Sequence, residues 1–215
     1  MSNSDQKQAV LIWDFPIRVF HWLLVVSFAG AWLTSESEAW QMIHYAFGYT
    51  AVALVLFRIF WGLVGTRYAR FSQFIKGPAE TMHHLKSLLT GKQQLGPGHN
   101  PAGALAMISL MVLVLLIGLT GYWSIKEFLG DFMSGAHESI SNFSLVVVVI
   151  HIVAAILMSF IQKENLVRAM VTGNKLGSPE QAIRYPMYFV GIGLALTWIY
   201  CFYLIVGGSL PALTQ

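Results

Sequence analysis

The chain has 215 residues, of which 56% are apolar and only 11% are charged, and its mean hydropathy is positive. In a water-soluble domain about a quarter of all residues are charged. The composition therefore excludes an ordinary soluble protein and predicts an integral membrane protein. The basic residues are concentrated in connections on one predicted side of the membrane, so the net charge of +3 reflects membrane topology rather than nucleic-acid binding. No linker-like or low-complexity segment divides the chain, which predicts one membrane-embedded domain over residues 1–215.

Five segments are long and apolar enough to cross a hydrocarbon core, which takes about 20 helical residues. The first helix is predicted to remain in the protein, because the polar N-terminus has no basic cluster and no small-residue cleavage site follows the apolar run. Residues 78–90, in the longest connection, predict a short surface helix at the inner interface. The five predicted spans cover approximately residues 12–33, 40–64, 102–125, 139–161 and 187–206.

The basic residues predict the orientation, because Lys and Arg are retained on the cytoplasmic side of a membrane. With the N-terminus inside, 11 of the 13 basic residues face the cytoplasm, Lys126 alone faces outward, and Arg58 lies within the membrane. Five spans then place the C-terminus in the periplasm. The cytoplasmic set is Lys7, Arg18, Arg67, Arg70, Lys76, Lys86, Lys92, Lys163, Arg168, Lys175 and Arg184.

Seven histidines occur in the chain, and four of them lie in or at the edge of predicted spans. An ionisable side chain is costly in a membrane and usually marks a functional site. The other three lie in the cytoplasmic connection and are predicted to be solvated or interfacial. The four membrane histidines are His21, His44, His137 and His151, and the other three are His83, His84 and His99.

The direction of each helix gives each membrane histidine a depth. His21 lies near the inner end of the first span, and His44 lies near the outer end of the second. The fourth span runs inward with His137 at its outer edge, and His151 follows 14 residues later. Fourteen helical residues descend about 21 Å in about 3.9 turns, so both side chains project from nearly the same face. The pattern predicts two sites, His44 with His137 in the outer layer and His21 with His151 in the inner layer.

Haem fits two such pairs, because a flat apolar macrocycle takes two axial imidazoles inside an apolar helix bundle. Zinc or copper would need three or four converging ligands, and no carboxylate or thiol joins either pair. The single cysteine, Cys201, excludes a C-x-x-C-H attachment and an iron–sulfur cluster. Gly48, one turn after His44, would let a porphyrin approach the helix or would serve helix packing. Interhelical hydrogen bonding of the histidines is the alternative, but it does not explain the paired depths.

Two arginines are candidates for binding the haem propionates. Arg58 follows His44 by 14 residues, which predicts a position on the haem-facing side at the depth of His151. The alternative is that Arg58 snorkels to the inner headgroups. Arg18 could bind a propionate or pair with Asp14, one turn earlier.

Four segments of the first 175 or so residues carry a resemblance to a known family. The chain resembles the bacterial cytochrome b561 family, which includes the b-type subunits of nickel–iron hydrogenases. The segments are WDFPIRVFHW at 13–22, RIFWGLVGTRYARF at 58–71, GHNPAGA at 98–104 and KENLVRAMVTG at 163–173.

The resemblance implies a four-helix transmembrane bundle holding two haems b, with a fifth C-terminal helix that occurs in some members only. The four membrane histidines match the family's ligand positions. The implied function is electron transfer across the bacterial inner membrane between the quinone pool and a partner at the periplasmic face. That partner would be a c-type cytochrome or a hydrogenase, and the mildly acidic outer loops slightly favour a basic partner such as a c-type cytochrome.

Three other functions remain open on the sequence alone. Some members of the family act without a partner, as superoxide:quinone oxidoreductases. A non-redox transporter would usually place acidic residues in the middle of helices, and the three most apolar spans have none. A purely structural membrane anchor would have no need of four paired histidines.

Overall fold

The computed structural model describes residues 8–74, 98 and 101–210. Within these residues five helices are long and apolar enough to cross a membrane, which confirms the prediction of an all-α multi-pass membrane protein. The predicted surface helix at 78–90 and His83, His84 and His99 lie outside the described residues. The helices are α1 (Phe15–Leu33), α2 (Gln41–Val64), α3 (Pro101–Ile125), α4 (Asp131–Gln162), a short α5 (Leu166–Thr172) and α6 (Tyr188–Val206).

Helix α4 begins earlier than the predicted span, at Asp131 instead of residue 139. Hydropathy alone misses this extension because most of its residues are small or polar, although Phe132 and Met133 are apolar. Gly130 occupies the N-cap position, and the carboxylate of Asp131 lies in the first turn, where it stabilises the positive end of the helix dipole. His137 is therefore within the helix, not at its edge, and its backbone is fixed by regular helical hydrogen bonds.

Helix α2 is central to the packing of the spans. It packs against α1, α3 and α6, whereas α4 packs mainly against α3 and the short α5. Helix α6 is fixed to α1 by a hydrogen bond from Trp198 Nε1 to Ser27 Oγ, at 2.9 Å. A tilted contact between the rings of Phe47 and Phe202, with centroids 4.7 Å apart, fixes α6 to α2 as well. The spans thus form two closely packed pairs, α1 with α2 and α3 with α4, joined through α2 and α3.

A small folded cap covers the end of the bundle at which α1 begins. Strand β1 (Gln8–Leu11) pairs antiparallel with β2 (Asn174–Gly177), so the N-terminal segment and the α5–α6 connection form a two-stranded sheet. The sequence did not predict this sheet, because four-residue strands paired across more than 160 positions leave no periodic pattern. The cap has its own core, which includes Val10, Ile12, Trp13, Tyr68, Ala69, Ala169 and Ile183.

Asp14 joins the cap to the first two spans. Its side chain is only 1% exposed. One oxygen accepts the backbone N–H of Ile17 at 2.8 Å and so caps α1. The other oxygen accepts Trp61 Nε1 at 3.0 Å and Thr66 Oγ1 at 2.6 Å, both from the end of α2 and the segment after it. A single carboxylate therefore fixes the start of α1 to the end of α2.

The hydrogen bonds of Asp14 also decide how the nearby arginine is used. Asp14 and Arg18 were candidates for a pair, but Asp14 is bonded to the three groups above. Arg18 Nη1 instead donates to the carbonyl of Val171 at 2.6 Å, in the last turn of α5. A cation at a helix C-terminus is stabilised by the dipole and satisfies an orphan carbonyl.

We expect Asp14→Ala to destabilise the folded protein by about 3 kcal/mol, because it removes a helix cap and leaves two buried donors without an acceptor. Thermal unfolding in detergent, followed by circular dichroism, measures the effect. Asp131→Ala is the matched control, since that carboxylate is exposed at the start of α4 and should cost about 0.5 kcal/mol. Equal losses in the two variants would contradict the role assigned to Asp14.

Candidate functional site

The outer candidate site consists of two imidazoles that face each other from different helix pairs. His44 lies in the first turn of α2, and His137 lies in α4. Their ring centroids are 6.1 Å apart, and the ring planes are nearly perpendicular, at 78°. The pairing predicted from helix direction and depth thus brings these two rings together. Two imidazoles bound trans to one metal ion, with bonds of about 2.0–2.1 Å, have ring centroids roughly 6 Å apart.

A backbone carbonyl orients each of these rings. His44 Nδ1 lies 2.8 Å from the carbonyl oxygen of Ala31, and His137 Nδ1 lies 3.0 Å from that of Ile117. A carbonyl oxygen only accepts, so each Nδ1 carries the proton and donates it. Each Nε2 is then left with a free lone pair, which is the state a metal ligand requires.

The sequence did not predict that these two carbonyls would accept from the histidines, yet their availability has local causes. Ala31 lies two residues before the end of α1, where carbonyls have no backbone N–H partner within the helix. Ile117 is inside α3, and Gly121 follows it by one turn. A Cβ on Gly121 would lie 2.9 Å from the His137 ring. The missing side chain of Gly121 therefore lets His137 reach the carbonyl of Ile117.

One position beside the outer pair is free of neighbouring atoms. A Cβ built on Gly48, one turn after His44, meets no atom of the described residues within 4 Å. The packing alternative for Gly48 is therefore not supported, since a packing glycine would have a close neighbour, as Gly118 has in Val52. The open position lies on the same side of α2 as His44, as their spacing of four residues requires.

The inner candidate site consists of His21 on α1 and His151 on α4. The two rings are near enough for their charges to interact. Nδ1 of His21 is buried and has no hydrogen-bond partner among the described residues. Helix α4 is continuous, and His151 lies on the same partly buried face as His137, with Ile140 and Ser144 between them. His137 and His151 therefore lie on one face of α4, at the spacing from which the sequence predicts this arrangement.

Arg58 is the most deeply buried basic residue near the inner pair, with 1% of its side chain exposed. Its Nη2 is 3.7 Å from Met107 Sδ, and its guanidinium lies over the Phe71 ring at 4.8 Å. Its Nη1 is buried without a hydrogen-bond partner among the described residues. Snorkelling does not describe this residue, since its charged group is enclosed by protein. A buried, incompletely paired guanidinium is expected to bind an anion.

The depth of Arg58 follows from the bond between Asp14 and Trp61. That bond places Asp14 and Trp61 at the same depth in the bundle. Arg58 precedes Trp61 by three residues, about 4.5 Å, and His21 follows Asp14 by seven residues, about 10.5 Å, in the same direction. Arg58 therefore lies between Asp14 and His21, about 6 Å from the level of the inner imidazole. Arg18, by contrast, is already bonded to Val171, although its Nε is buried without a partner among the described residues.

The donor set fits a haem better than a bare metal ion. Within the described part of the chain, no three His, Cys, Asp or Glu side chains lie close enough to hold a metal ion. A bis-imidazole pair with an open, apolar approach and a nearby buried arginine instead matches an iron porphyrin with propionate groups. His44, His137, His21 and His151 are the residues that could supply axial nitrogens.

Comparisons with known proteins agree with this chemistry. The family model for prokaryotic cytochrome b561 matches residues 12–173. The chain is similar to the protein named probable Ni/Fe-hydrogenase B-type cytochrome subunit in Rhizobium leguminosarum bv. viciae, with 24% identity covering 81% of this chain and 92% of that one. The protein of that name in Azotobacter vinelandii is 26% identical, covering 78% and 89% of the two chains.

A more distant relative is the probable Ni/Fe-hydrogenase 1 B-type cytochrome subunit of Escherichia coli (strain K12), with 23% identity covering 56% of this chain and 62% of that one. No solved structure matches the chain significantly. The family match spans α1 to α5 and includes both histidine pairs and Arg58. The chain therefore belongs to the prokaryotic cytochrome b561 family and is a membrane-bound, electron-carrying b-type cytochrome.

Proposed function

We propose that the protein holds two haems b and carries electrons across the bacterial inner membrane. The observation that carries this proposal is the outer histidine pair, in which two Nδ1-protonated imidazoles stand 6.1 Å apart. Such a pair is ready to ligate one iron through its Nε2 atoms. Bound haem supplies a one-electron couple, and the protein supplies its ligands, orientation and dielectric surroundings.

The inner haem is proposed to bind between His21 and His151. The proximity of the two rings and the continuity of α4 support this assignment. The two sites are then separated by about 21 Å along α4. Two centres in opposite halves of a bilayer divide its roughly 30 Å apolar core into two shorter electron-transfer steps.

Arg58 is proposed to bind a propionate of the inner haem. Its burial, its unpartnered Nη1 and its level on the Asp14 side of His21 support this role. Arg18 is the second candidate, and its remaining donors lie on the same side of His21. A buried guanidinium next to a carboxylate stabilises both charges, whereas either charge alone would be costly in this environment.

The proposed orientation places the N-terminus in the cytoplasm and the C-terminus in the periplasm, on the basis of the 11-to-1 distribution of basic residues. The pair His44 and His137 then belongs to the periplasmic half. Quinone is proposed as the membrane-soluble redox partner, and a periplasmic protein as the other. The names of the relatives favour a nickel–iron hydrogenase as that protein, while the acidic outer loops would also suit a c-type cytochrome.

The first test is the haem content and its reduction. We expect acid–acetone extraction to release two non-covalent haems b per chain, both low-spin before extraction because each iron has six ligands. Both should be reduced when a quinol is added to the oxidised protein, as measured from the haem absorption bands. One haem per chain would contradict the two-site proposal, and no quinol-reducible haem would contradict the function.

The second test addresses the pairing of the histidines. His44→Ala and His137→Ala should each remove the outer haem, so the double variant should still retain one haem per chain. The same holds for His21→Ala combined with His151→Ala, because the other site keeps both axial ligands. Haem content per chain, with helicity as the folding control, measures the result. One haem retained in His21→Ala combined with His44→Ala, and none in the matched pairs, would show that the pairing is wrong.

The third test uses the open position beside His44. Gly48→Leu adds a side chain where the described residues leave space, so the polypeptide alone tolerates it. The macrocycle is expected to need the same space, and the variant should lose most of the outer haem while retaining the inner one. Gly193→Leu on α6 is the matched control, because that position is also open and lies on a helix without a histidine. An unchanged haem content in Gly48→Leu would remove Gly48 from the site.

A further inference from the structure

A surface cleft lies at the junction of α4 and α5, away from both histidine pairs. Its volume is about 310 Å³. Seven residues line it: Ile156, Ser159, Phe160, Lys163, Glu164, Asn165 and Val167. The junction itself is well ordered by hydrogen bonds, since Ser159 Oγ accepts the backbone N–H of Leu166 at 3.0 Å and Asn165 caps α5. The cleft is therefore a fixed feature of the fold.

The lining of the cleft is divided into an apolar side and a polar side. Ile156, Phe160 and Val167 are large apolar side chains with much of their surface exposed, Phe160 to 77%. The polar side begins at Lys163, directly after the last residue of α4. Since α4 is a membrane span, this division falls where hydrocarbon gives way to headgroups. Acyl chains would contact the apolar side, and a headgroup would lie at Lys163.

The charge at the polar side is positive because the one acid of the cleft is used elsewhere. Glu164 Oε2 forms an ion pair with Lys175 Nζ at 3.5 Å, and Glu164 Oε1 accepts the backbone N–H of Leu176 at 2.6 Å. Lys163 has no ion pair with a described residue. Arg168, exposed on α5, adds a second cation nearby. We propose that this cleft binds one anionic glycerophospholipid, with its phosphate at Lys163 and an acyl chain along Ile156 and Phe160.

The backbone of Lys163 provides a sharp way to test this. Its φ is +52°, in the left-handed region that favours glycine. Lys163→Gly therefore removes the cation while relieving the backbone, so a loss of lipid binding cannot be attributed to a damaged fold. Lys126→Gln, at the opposite end of the bundle, is the control for a lost positive charge.

The experiment measures lipid binding to the delipidated full chain in a non-ionic detergent by native mass spectrometry. The probes are dioleoyl phosphatidylglycerol, dioleoyl phosphatidylcholine and glycerol 1-phosphate, and circular dichroism verifies the fold of each variant. A surface cation contributes about 1 kcal/mol to binding an anionic lipid, which is about five-fold in affinity. Lys163→Gly should weaken phosphatidylglycerol binding about five-fold and Lys163→Gly with Arg168→Gln about 25-fold, while Lys126→Gln leaves it unchanged.

Three results would overturn the proposal. Equal affinity of the wild-type protein for phosphatidylcholine and phosphatidylglycerol, or an unchanged affinity of the double variant for phosphatidylglycerol, would show that the cleft does not select an anionic lipid. Binding of glycerol 1-phosphate as tight as that of the lipid would show an ion site in which the apolar side plays no part. None of these results depends on haem binding, so the outcome is separate from that of the proposed function.

Discussion

An imidazole inside a membrane must have its polar nitrogens satisfied by protein or by a ligand, because hydrocarbon offers no hydrogen bonds. In the outer pair this constraint determines the arrangement of four helices. His44 of α2 donates to Ala31 of α1, and His137 of α4 donates to Ile117 of α3. Each histidine is thus oriented by the neighbour within its own helix pair. The two pairs then present one free Nε2 each across the space between them.

The cap contributes to the inner site by fixing the level at which its helices begin. Asp14 ties the start of α1 to the end of α2, and Arg18 and Trp22 donate to the last carbonyls of α5. His21 follows Asp14 by seven residues, so the hydrogen bonds at the start of α1 set the depth of His21, and apolar contacts do not set it alone. Two carbonyls of α5, which would otherwise be orphans in the membrane interface, are satisfied by the same bonds. The polar ends of the bundle therefore position a residue in its apolar interior.

The sequence predicted the features that depend on local composition and on helix geometry. Hydropathy located the five spans, and a spacing of 14 residues placed His137 and His151 on one helical face. What it did not predict depends on contacts between distant segments. The pairing of β1 with β2, the bonds of Asp14 to Trp61 and Thr66, and the carbonyl of Ile117 opened by Gly121 all join residues from different elements. Hydropathy also placed the start of α4 too late, because its first turns include Asp131, Ser134, Gly135 and Glu138, which lower the local hydropathy although the segment is helical.

The packing of α4 indicates how a haem at the proposed sites would contribute to the core of this protein. Only Met133 and Ser144 are buried in its 32 residues, and its main contacts are with α3 and α5. The face that carries His137 and His151 therefore gains little from side-chain packing against α1 and α2. A ligand that binds only the folded state adds its binding free energy to the stability of that state. Haem between the helix pairs would supply the apolar contact that this face of α4 lacks, so the site that carries electrons would also hold the bundle together.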